Sequence, residues 1–246
     1  MSRYDFRAPR LFVEPDLAPG HAIACRAEHV NYLRHVLRLG EGDAIILFNG
    51  RDGEWRARIG GARKPATTLL VEAQLRPQQA GPDLDYLFAP LKRARLDYMV
   101  QKATEMGVAR LRPIFTRRTV AERINTARMR ANAIEAAEQC GVLTVPEVLA
   151  VATLAATLAD WDRQRCLIFC DEDSEVADPL AALGALRPGP LALLIGPEGG
   201  FDDSERELLT SQAFVRRISL GPRILRADTA AVAALALVNA TLGDWR

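Results

Sequence analysis

Apolar and polar residues alternate over short runs in the first 75 residues, and this pattern predicts a small β-rich domain resembling a barrel. Gly-containing dipeptides at 49–50 and 52–53 supply the positive φ angles that tight turns between strands need. One helix is predicted at 28–39, with apolar residues on one face at Val30, Leu33, Val36 and Leu37. The predicted strands cover residues 10–13, 21–25, 43–49, 54–59 and 67–75.

Beyond residue 75 the pattern changes to alternating strands and helices, which predicts an α/β domain with a parallel sheet. The stretch 76–83 is rich in Pro, Gly and Gln and lacks periodicity, so it reads as a linker between a domain at 1–75 and a domain at 84–246. Strands are predicted at 84–89, 110–115, 166–170, 191–195 and 217–220. Helices are predicted at 92–106, 125–139, 202–212 and 228–242.

Three signals in the second domain are specific. The run at 191–195 is apolar without alternation, as in a parallel strand that is covered on both faces. Gly107 is placed to end one helix, and Asp202 with Glu205 has the spacing of a capping box. The last helix, 228–242, is apolar on more than one face and must be buried. Burial against a second copy of the chain is the favoured interpretation, and burial against its own sheet is the alternative.

Composition indicates a folded globular protein. Of the 246 residues 49% are hydrophobic and 26% are charged, which argues against intrinsic disorder. No apolar run reaches the length of a membrane span, the N-terminus lacks a secretion signal, and four cysteines are too few for a disulfide framework, so a cytoplasmic protein is expected. No Cys-x-x-Cys is present and all three histidines precede residue 36, so no metal site is expected.

Charge is distributed unevenly along the chain. Residues 76–130 carry 12 Lys and Arg against 5 Asp and Glu, whereas residues 131–246 carry 9 against 17. A basic middle segment beside an acidic one can steer a polyanion to one face of the molecule. Ordinary solvated surface charge is the alternative, so charge alone leaves nucleic-acid binding open.

Two glycine-containing loops follow predicted strands and precede predicted helices. The first is Gly196-Pro197-Glu198-Gly199-Gly200, directly after the strand at 191–195. Ligands of open parallel sheets bind outside the carboxyl ends of the strands, and glycines let backbone approach a ligand closely. The loop lacks the spacing of a phosphate-binding Walker loop and of a dinucleotide fingerprint. A tight structural turn is the alternative interpretation.

The second loop, residues 220–230, contains two arginines beside a predicted helix start. Asp228 or Thr229 is expected to cap that helix. Arg223 or Arg226 could pair with Asp228, or could bind an anion or stabilise charge that develops in a reaction.

Further characteristic strings lie along most of the chain. They are His35-Val36-Leu37-Arg38, Val100-Gln101-Lys102-Ala103-Thr104-Glu105-Met106-Gly107-Val108, Thr116-Arg117-Arg118, Glu122-Arg123 and Glu135-Ala136-Ala137-Glu138-Gln139-Cys140-Gly141. With the two glycine loops, they resemble the ribosomal small subunit methyltransferase E family of the SPOUT superfamily. Where that family usually has Thr-Glu, this chain has Ala227-Asp228, and Val142 replaces a usual arginine.

The resemblance implies a PUA-like N-terminal barrel and a C-terminal SPOUT α/β domain with a trefoil knot. It also implies a homodimer that uses S-adenosylmethionine to methylate N3 of uridine 1498 in the 16S rRNA of the small ribosomal subunit. The cofactor would be held by Ile195, Gly196, Pro197, Gly199, Gly200, Leu220, Gly221, Ile224 and Leu225. Because backbone groups should dominate this site, valine at Gly196 or Gly200 is expected to block binding by filling space.

Methylation at N3 requires loss of the imide proton, so a base or a stabilising cation must lie near that atom. The domain at 84–246 contains no histidine, which leaves Arg226 as stabiliser and Glu198 or Asp228 as carboxylates. RNA phosphates are expected to contact Arg10, Arg34, Arg38, Lys92, Arg93, Lys102, Arg117, Arg118 and Arg123.

Two other functions are compatible with parts of the pattern. A non-catalytic ribosome-assembly factor would keep the RNA-binding surface, but the intact glycine loops argue against lost catalysis. A nucleotide-using α/β enzyme would need phosphate-binding motifs that this sequence lacks.

Overall fold

Backbone contacts divide the chain into two units. The first comprises Met1–Ala80 with Ala137–Val145, and the second comprises Gly81–Ala136 with Pro146–Arg246. The computed structural model describes residues 8–60, 67–121, 123–174 and 178–245, apart from the side chain of Arg93. The division after Ala80 falls inside the stretch expected to be a linker. The segment at 137–145, placed in the second domain by the sequence pattern, belongs to the first unit.

A five-stranded, mostly antiparallel sheet forms the first unit. Its strands follow the order β1-β3-β4-β5-β2, and the β1–β3 pair is parallel. Alternation places Ile45, Leu47 and Val71 in a core that excludes water, which is the main stabilising contribution to such a sheet. The strands agree with the predicted ones to within one residue at each end: β1 (Arg10–Phe12), β2 (Ala22–Ala24), β3 (Ala44–Phe48), β4 (Glu54–Ile59) and β5 (Thr68–Arg76).

The predicted helix at 28–39 lies where it was expected, but it is not a continuous α-helix. It consists of α1 (Ala27–Asn31) followed by a π-helical turn, Tyr32–Val36, in which the Leu37 amide donates to the Tyr32 carbonyl at 2.9 Å. The wider turn rotates later residues around the axis. Leu33 is therefore buried, whereas Val36 is 61% exposed and does not join the expected apolar face.

A seven-stranded sheet forms the centre of the second unit. Its order is β12-β10-β11-β6-β7-β8, with β9 beside β7, and every pair is parallel as predicted. Strand β11 lies between β10 and β6, and all five of its residues are buried. The strands are β6 (Leu84–Phe88), β7 (Arg110–Phe115), β8 (Glu147–Val148), β9 (Ala152–Thr153), β10 (Cys166–Cys170), β11 (Leu191–Ile195) and β12 (Val215–Ile218).

Long helices were predicted well and short elements were missed. Strands β8 and β9 and helices α4 and α5 have too few residues to show periodicity. Strand β12 starts two residues earlier than predicted, because its buried residues are Val215 and Ile218 and two arginines separate them. The helices that follow α1 are α2 (Arg93–Glu105), α3 (Thr126–Cys140), α4 (Leu154–Ala159), α5 (Pro179–Gly184), α6 (Asp203–Thr210) and α7 (Ala227–Thr241).

Helix ends in the second unit follow the predicted signals. Gly107, after α2, has φ +78°, and the capping box of α6 is formed. In that box the Glu205 amide donates to Asp202 at 2.8 Å. This hydrogen bond is the first cause that lowers the pKa of Asp202. Among the described residues, no helix combines the length and apolar character needed to cross a membrane.

Helix α7 packs within its own chain, which supports the alternative interpretation of its apolar sequence. It contacts α2, α5 and strand β11, and its buried face includes Ala234, Leu235 and Val238. A second apolar face stays half-exposed; it contains Val232, Ala233, Ala236 and Leu237.

Candidate active site

A cavity of about 680 Å³ lies at the carboxyl ends of β10, β11 and β12. Because the sheet is parallel, these strand ends share one edge, where ligands of open α/β sheets bind. The volume lies within the range of about 300–1,000 Å³ that is usual for small-molecule sites. Three loops and the first turns of two helices form its walls.

The structure brings both glycine loops to this cavity. All nine residues predicted to hold a cofactor line it, although they come from two loops about 20 positions apart. Ile224 lines the rim with its side chain 93% exposed, so its apolar surface faces solvent. Of the three predicted catalytic residues, Glu198 and Arg226 line the cavity, whereas Asp228 is half-buried just outside that lining.

The glycines of the first loop fit against protein neighbours. A Cβ atom at Gly196 would lie 2.6 Å from the Phe201 ring, and one at Gly200 would lie 2.8 Å from Glu172 Oε1. Valine at either position would therefore also collide with a neighbouring side chain, and the expected block of binding by these variants stays a prediction. Gly221, in the second loop, differs from these two glycines in its surroundings, because no atom lies within 4 Å of a Cβ added there. Its φ is +101°.

Several cavity residues were missed by sequence reasoning. Cys170, Asp171 and Glu172 follow β10 and so obey the same strand-end rule as the two loops. Ala230 lies in the first turn of α7, and the glycine pattern of the preceding loop gives no signal for a residue inside the helix. Arg95, near the start of α2, has no sequence signal that links it to the loops.

Charged side chains bracket the first glycine loop. Arg95 forms an ion pair with Glu198. From the other side, the Arg118 guanidinium donates to the Gly199 carbonyl at 2.8 Å. Arg117 reaches the helix that follows the loop, with its guanidinium 3.1 Å from Asp202. The loop is therefore held by two cationic segments that are distant in sequence.

Arg226 occupies the N-cap position of α7, so the expected caps Asp228 and Thr229 are wrong. Asp228 Oδ1 instead accepts the Thr229 amide at 2.8 Å within the first turn. In the described part of the chain, neither Arg223 nor Arg226 forms an ion pair with Asp228, which was one of the two interpretations left open by the sequence. Both arginines are exposed at the cavity, which leaves their guanidinium groups accessible to a ligand.

Cys170 is unsuited to act as a nucleophile at this site. Burial is the main cause that raises the pKa of its thiol well above the usual range, and the charge of Asp171 acts in the same direction. A thiol must ionise to attack an electrophile, so Cys170 serves as a neutral wall residue near neutral pH.

The remaining basic residues predicted in the second unit differ in their surroundings. Lys92 and Arg123 are exposed. Lys102 is half-buried, and its ammonium group lies 2.7 Å from Glu105, so part of its charge is neutralised. The side chain of Arg93 lies outside the described residues, as does Glu122.

In the first unit, Arg34 and Arg38 are exposed, and the Arg34 guanidinium donates to Thr67 at 3.1 Å. Arg38 has φ +58°, a left-handed conformation that is uncommon for a residue with a side chain. Both arginines remain accessible to an RNA phosphate.

The prediction that Arg10 contacts RNA is wrong, because this residue is buried. It is 6% exposed, and its Nε lies 2.7 Å from Glu54, whose side chain is fully buried. The guanidinium also donates to the carbonyls of Ala137, Glu138 and Val142. All of these residues belong to the first unit, so Arg10 is an internal anchor and not part of an exposed surface.

In the described ranges, which omit 1–7, 61–66, 122, 175–177 and 246, no group of three His, Cys, Asp or Glu residues is arranged to hold a metal ion.

Models of two protein families match this chain. Residues 79–239 match the RNA methyltransferase domain, and residues 26–70 match the RNA methyltransferase PUA domain. The first match covers the whole parallel sheet with its cavity, and the second covers much of the smaller sheet.

Relatives in sequence carry the name ribosomal RNA small subunit methyltransferase E. The protein from Rickettsia conorii is 33% identical, over 94% of this chain and 94% of its own length. The protein from Bacillus subtilis is 30% identical, over 97% of this chain and 96% of its own length.

Solved structures agree with both units. A ribosomal RNA small subunit methyltransferase E from Neisseria gonorrhoeae, bound to S-adenosyl methionine, has a TM-score of 0.87 at 25% identity and covers 98% of this chain and 100% of its own. A Legionella pneumophila protein with the bound cofactor SAM has a TM-score of 0.84 at 29% identity, covering 97% and 99%.

Proposed function

Because the chain belongs to the ribosomal RNA small subunit methyltransferase E family, we propose that it transfers a methyl group from S-adenosylmethionine to N3 of one uridine in 16S rRNA. The observation that carries this proposal is the single cavity lined by both glycine loops at the carboxyl edge of the sheet. The uridine is the one implied by the resemblance of the sequence.

The cavity suits S-adenosylmethionine in its chemistry. Apolar residues such as Leu220, Leu225 and Ala230 offer a surface for the adenine ring. Peptide groups of the two glycine loops offer donors and acceptors for its polar edge. The exposed Ile224 would cover part of the bound cofactor and so lose its contact with solvent.

Filling the cavity from α7 tests this placement. Ala230→Leu adds a side chain at a lining position and keeps a good helix former. Overpacking of about 1–3 kcal/mol should weaken S-adenosylmethionine binding about tenfold to a hundredfold in calorimetric titration. The control, Ala131→Leu, is exposed on α3 outside the cavity lining and should bind like the parent. Equal affinity of the two variants would contradict the placement.

The chain's own residues must manage the proton on uridine N3. When bound, the cofactor supplies an electrophilic methyl group on its sulfonium. Arg226 would stabilise the uridine anion as the imide proton leaves, because its guanidinium is exposed at the cavity. Glu198 and Asp228 are the two carboxylates we propose as proton acceptors, and Arg95 already holds Glu198 by an ion pair.

We propose that RNA phosphates contact basic residues of both units. Arg118 and Arg117 are favoured, because they also hold the glycine loop and its helix, and so would couple RNA contact to the cavity. The other proposed contacts are Arg34, Arg38, Lys92, Arg93, Lys102 and Arg123.

Salt dependence of RNA binding tests this surface. Each lost phosphate contact should flatten the slope of log affinity against log salt by about 0.7–0.9, since fewer counterions are released. Arg123→Gln should show this change in a filter-binding series. Arg187→Gln is the matched control, because Arg187 is exposed just before the strand β11 begins, away from its carboxyl end. The same slope for Arg123→Gln and the parent would contradict the proposed contact.

We also propose a cytoplasmic homodimer, since the substrate is part of the ribosome and the half-exposed apolar face of α7 could pair with a second copy. The trefoil knot implied by the resemblance stays a prediction.

The methylated nucleoside decides the function. Purified protein should transfer labelled methyl groups from S-adenosylmethionine to small-subunit rRNA, and digestion should yield 3-methyluridine. A different methylated nucleoside would contradict the proposed position. RNA binding without transfer would instead support the non-catalytic assembly factor.

A further inference from the structure

The cavity wall that follows β10 contains two acidic residues, Asp171 and Glu172. Asp173 continues this acidic run just outside the lining. Asp171 is buried, and its two carboxylate oxygens lie 2.8 Å from Arg206 and 2.7 Å from Arg217. Such a doubly paired, buried carboxylate has little capacity for a ligand. Its function is to fix the start of the loop that carries the other two acids.

Arg206 is shared among all three acids of the run. Its shorter contacts go to Asp171 and Asp173, while its distance to Glu172 is 3.3 Å. Among the described residues of this acidic run, three carboxylates therefore face the guanidinium groups of Arg206 and Arg217, which leaves the run with an excess of one negative charge. Of the three carboxylates, that of Glu172 has the longest distance to Arg206. The Glu172 side chain is 52% exposed and lines the cavity.

The glycine loop fixes where this carboxylate lies. Gly200 has φ +69°, and a Cβ there would come within 2.8 Å of Glu172 Oε1. Any larger residue would be strained in its backbone and would also displace the carboxylate. Gly200 therefore lets Glu172 approach the loop closely at the cavity wall.

We propose that Glu172 binds the ammonium group at the amino-acid end of the cofactor. This inference rests on the proposed function, because it takes S-adenosylmethionine as the ligand. A carboxylate with excess negative charge favours a cation over a neutral group such as the ribose diol. Arg206 and Arg217 act as positioning residues, since they hold Asp171 and thereby the loop that presents Glu172.

Comparing the affinities of three ligands shows which part of the cofactor Glu172 contacts. S-adenosylmethionine and S-adenosylhomocysteine both carry the ammonium group, and 5′-methylthioadenosine lacks the amino-acid portion but keeps adenine and ribose. Glu172→Gln should weaken binding of the first two about tenfold or more in calorimetric titration, as expected for a charge-assisted hydrogen bond. It should bind 5′-methylthioadenosine like the parent, and this result also reports an intact site.

Other patterns overturn the proposal. Equal weakening for all three ligands would indicate contact with the ribose or damage to the fold, and weakening for S-adenosylmethionine alone would indicate the sulfonium. Unchanged binding of every ligand would remove Glu172 from the site. The control Glu207→Gln alters an exposed carboxylate of α6 outside the cavity lining and should bind all three normally. A parent protein that binds none of them would overturn the proposed cofactor itself.

Discussion

Arg226→Ala is expected to lower the rate of methyl transfer about 10²–10³-fold while leaving S-adenosylmethionine affinity close to that of the parent. A single electrostatic donor aimed at developing charge has an effect of this size. The side chain of Arg226 is exposed at the cavity, so its loss removes little from the apolar walls that would hold the cofactor.

The fold should tolerate this substitution. Arg226 is the N-cap of α7 with φ −65° and ψ 150°, which alanine adopts readily, and its side chain makes no capping hydrogen bond. Single-turnover transfer at saturating cofactor separates the chemical step from binding. Arg226→Lys keeps the charge and should retain more activity than the alanine variant. A fully active Arg226→Ala would contradict the assigned role.

The second large effect is expected at Arg10→Ala, which should destabilise the first unit by about 3–5 kcal/mol. Glu54 would keep its ion pair with Arg76 but lose the one with Arg10, while its side chain stays fully buried. Three carbonyl groups, on Ala137, Glu138 and Val142, would also lose a donor. The guanidinium further lies 4.2 Å from the centre of the Phe48 ring, and that contact would be lost too.

Hydrogen exchange of amides in β3 and β4 measures this loss within the first unit, where a global unfolding curve would mix two units. Arg51→Ala is the matched control. Arg51 pairs with Asp16 at 2.9 Å, yet both side chains are exposed, so the expected change is at most about 1 kcal/mol. Equal exchange in the two variants would show that the buried contacts of Arg10 contribute little.

Sequence patterns were sufficient for the parts of the fold that repeat over several turns or alternations. Strands β4, β7, β10 and β11 match their predicted bounds, because apolar alternation or a continuous apolar run marks them directly. The π-helical turn could not be predicted, since its apolar spacing is also compatible with an α-helix.

The part of the cavity formed by glycine loops at strand ends could be predicted from the sequence. Both loops follow strands in the sequence, so their meeting at one edge follows from a parallel sheet. Glu172 also follows the end of a strand, β10, but no glycine beside it in the sequence drew attention to that loop. Arg10 was placed wrongly because an arginine at a strand start usually faces solvent, and its carbonyl partners lie more than 120 positions later in the chain.

Arg76 also pairs with Glu54, and its guanidinium donates to the Gly141 carbonyl at 2.8 Å. The anchoring of Arg10 and Arg76 has a consequence for the order of events during synthesis. Their carbonyl partners lie within 137–145, a segment of the same unit that is made about 57 to 65 residues after Ala80. At about 5–20 residues per second, these partners emerge roughly 3–13 s later than the strands they complete. Until then the buried Glu54 and its arginine partners lack these carbonyl groups. The sheet of the first unit is therefore finished late, after most of the polypeptide from α2 to α3 has left the ribosome.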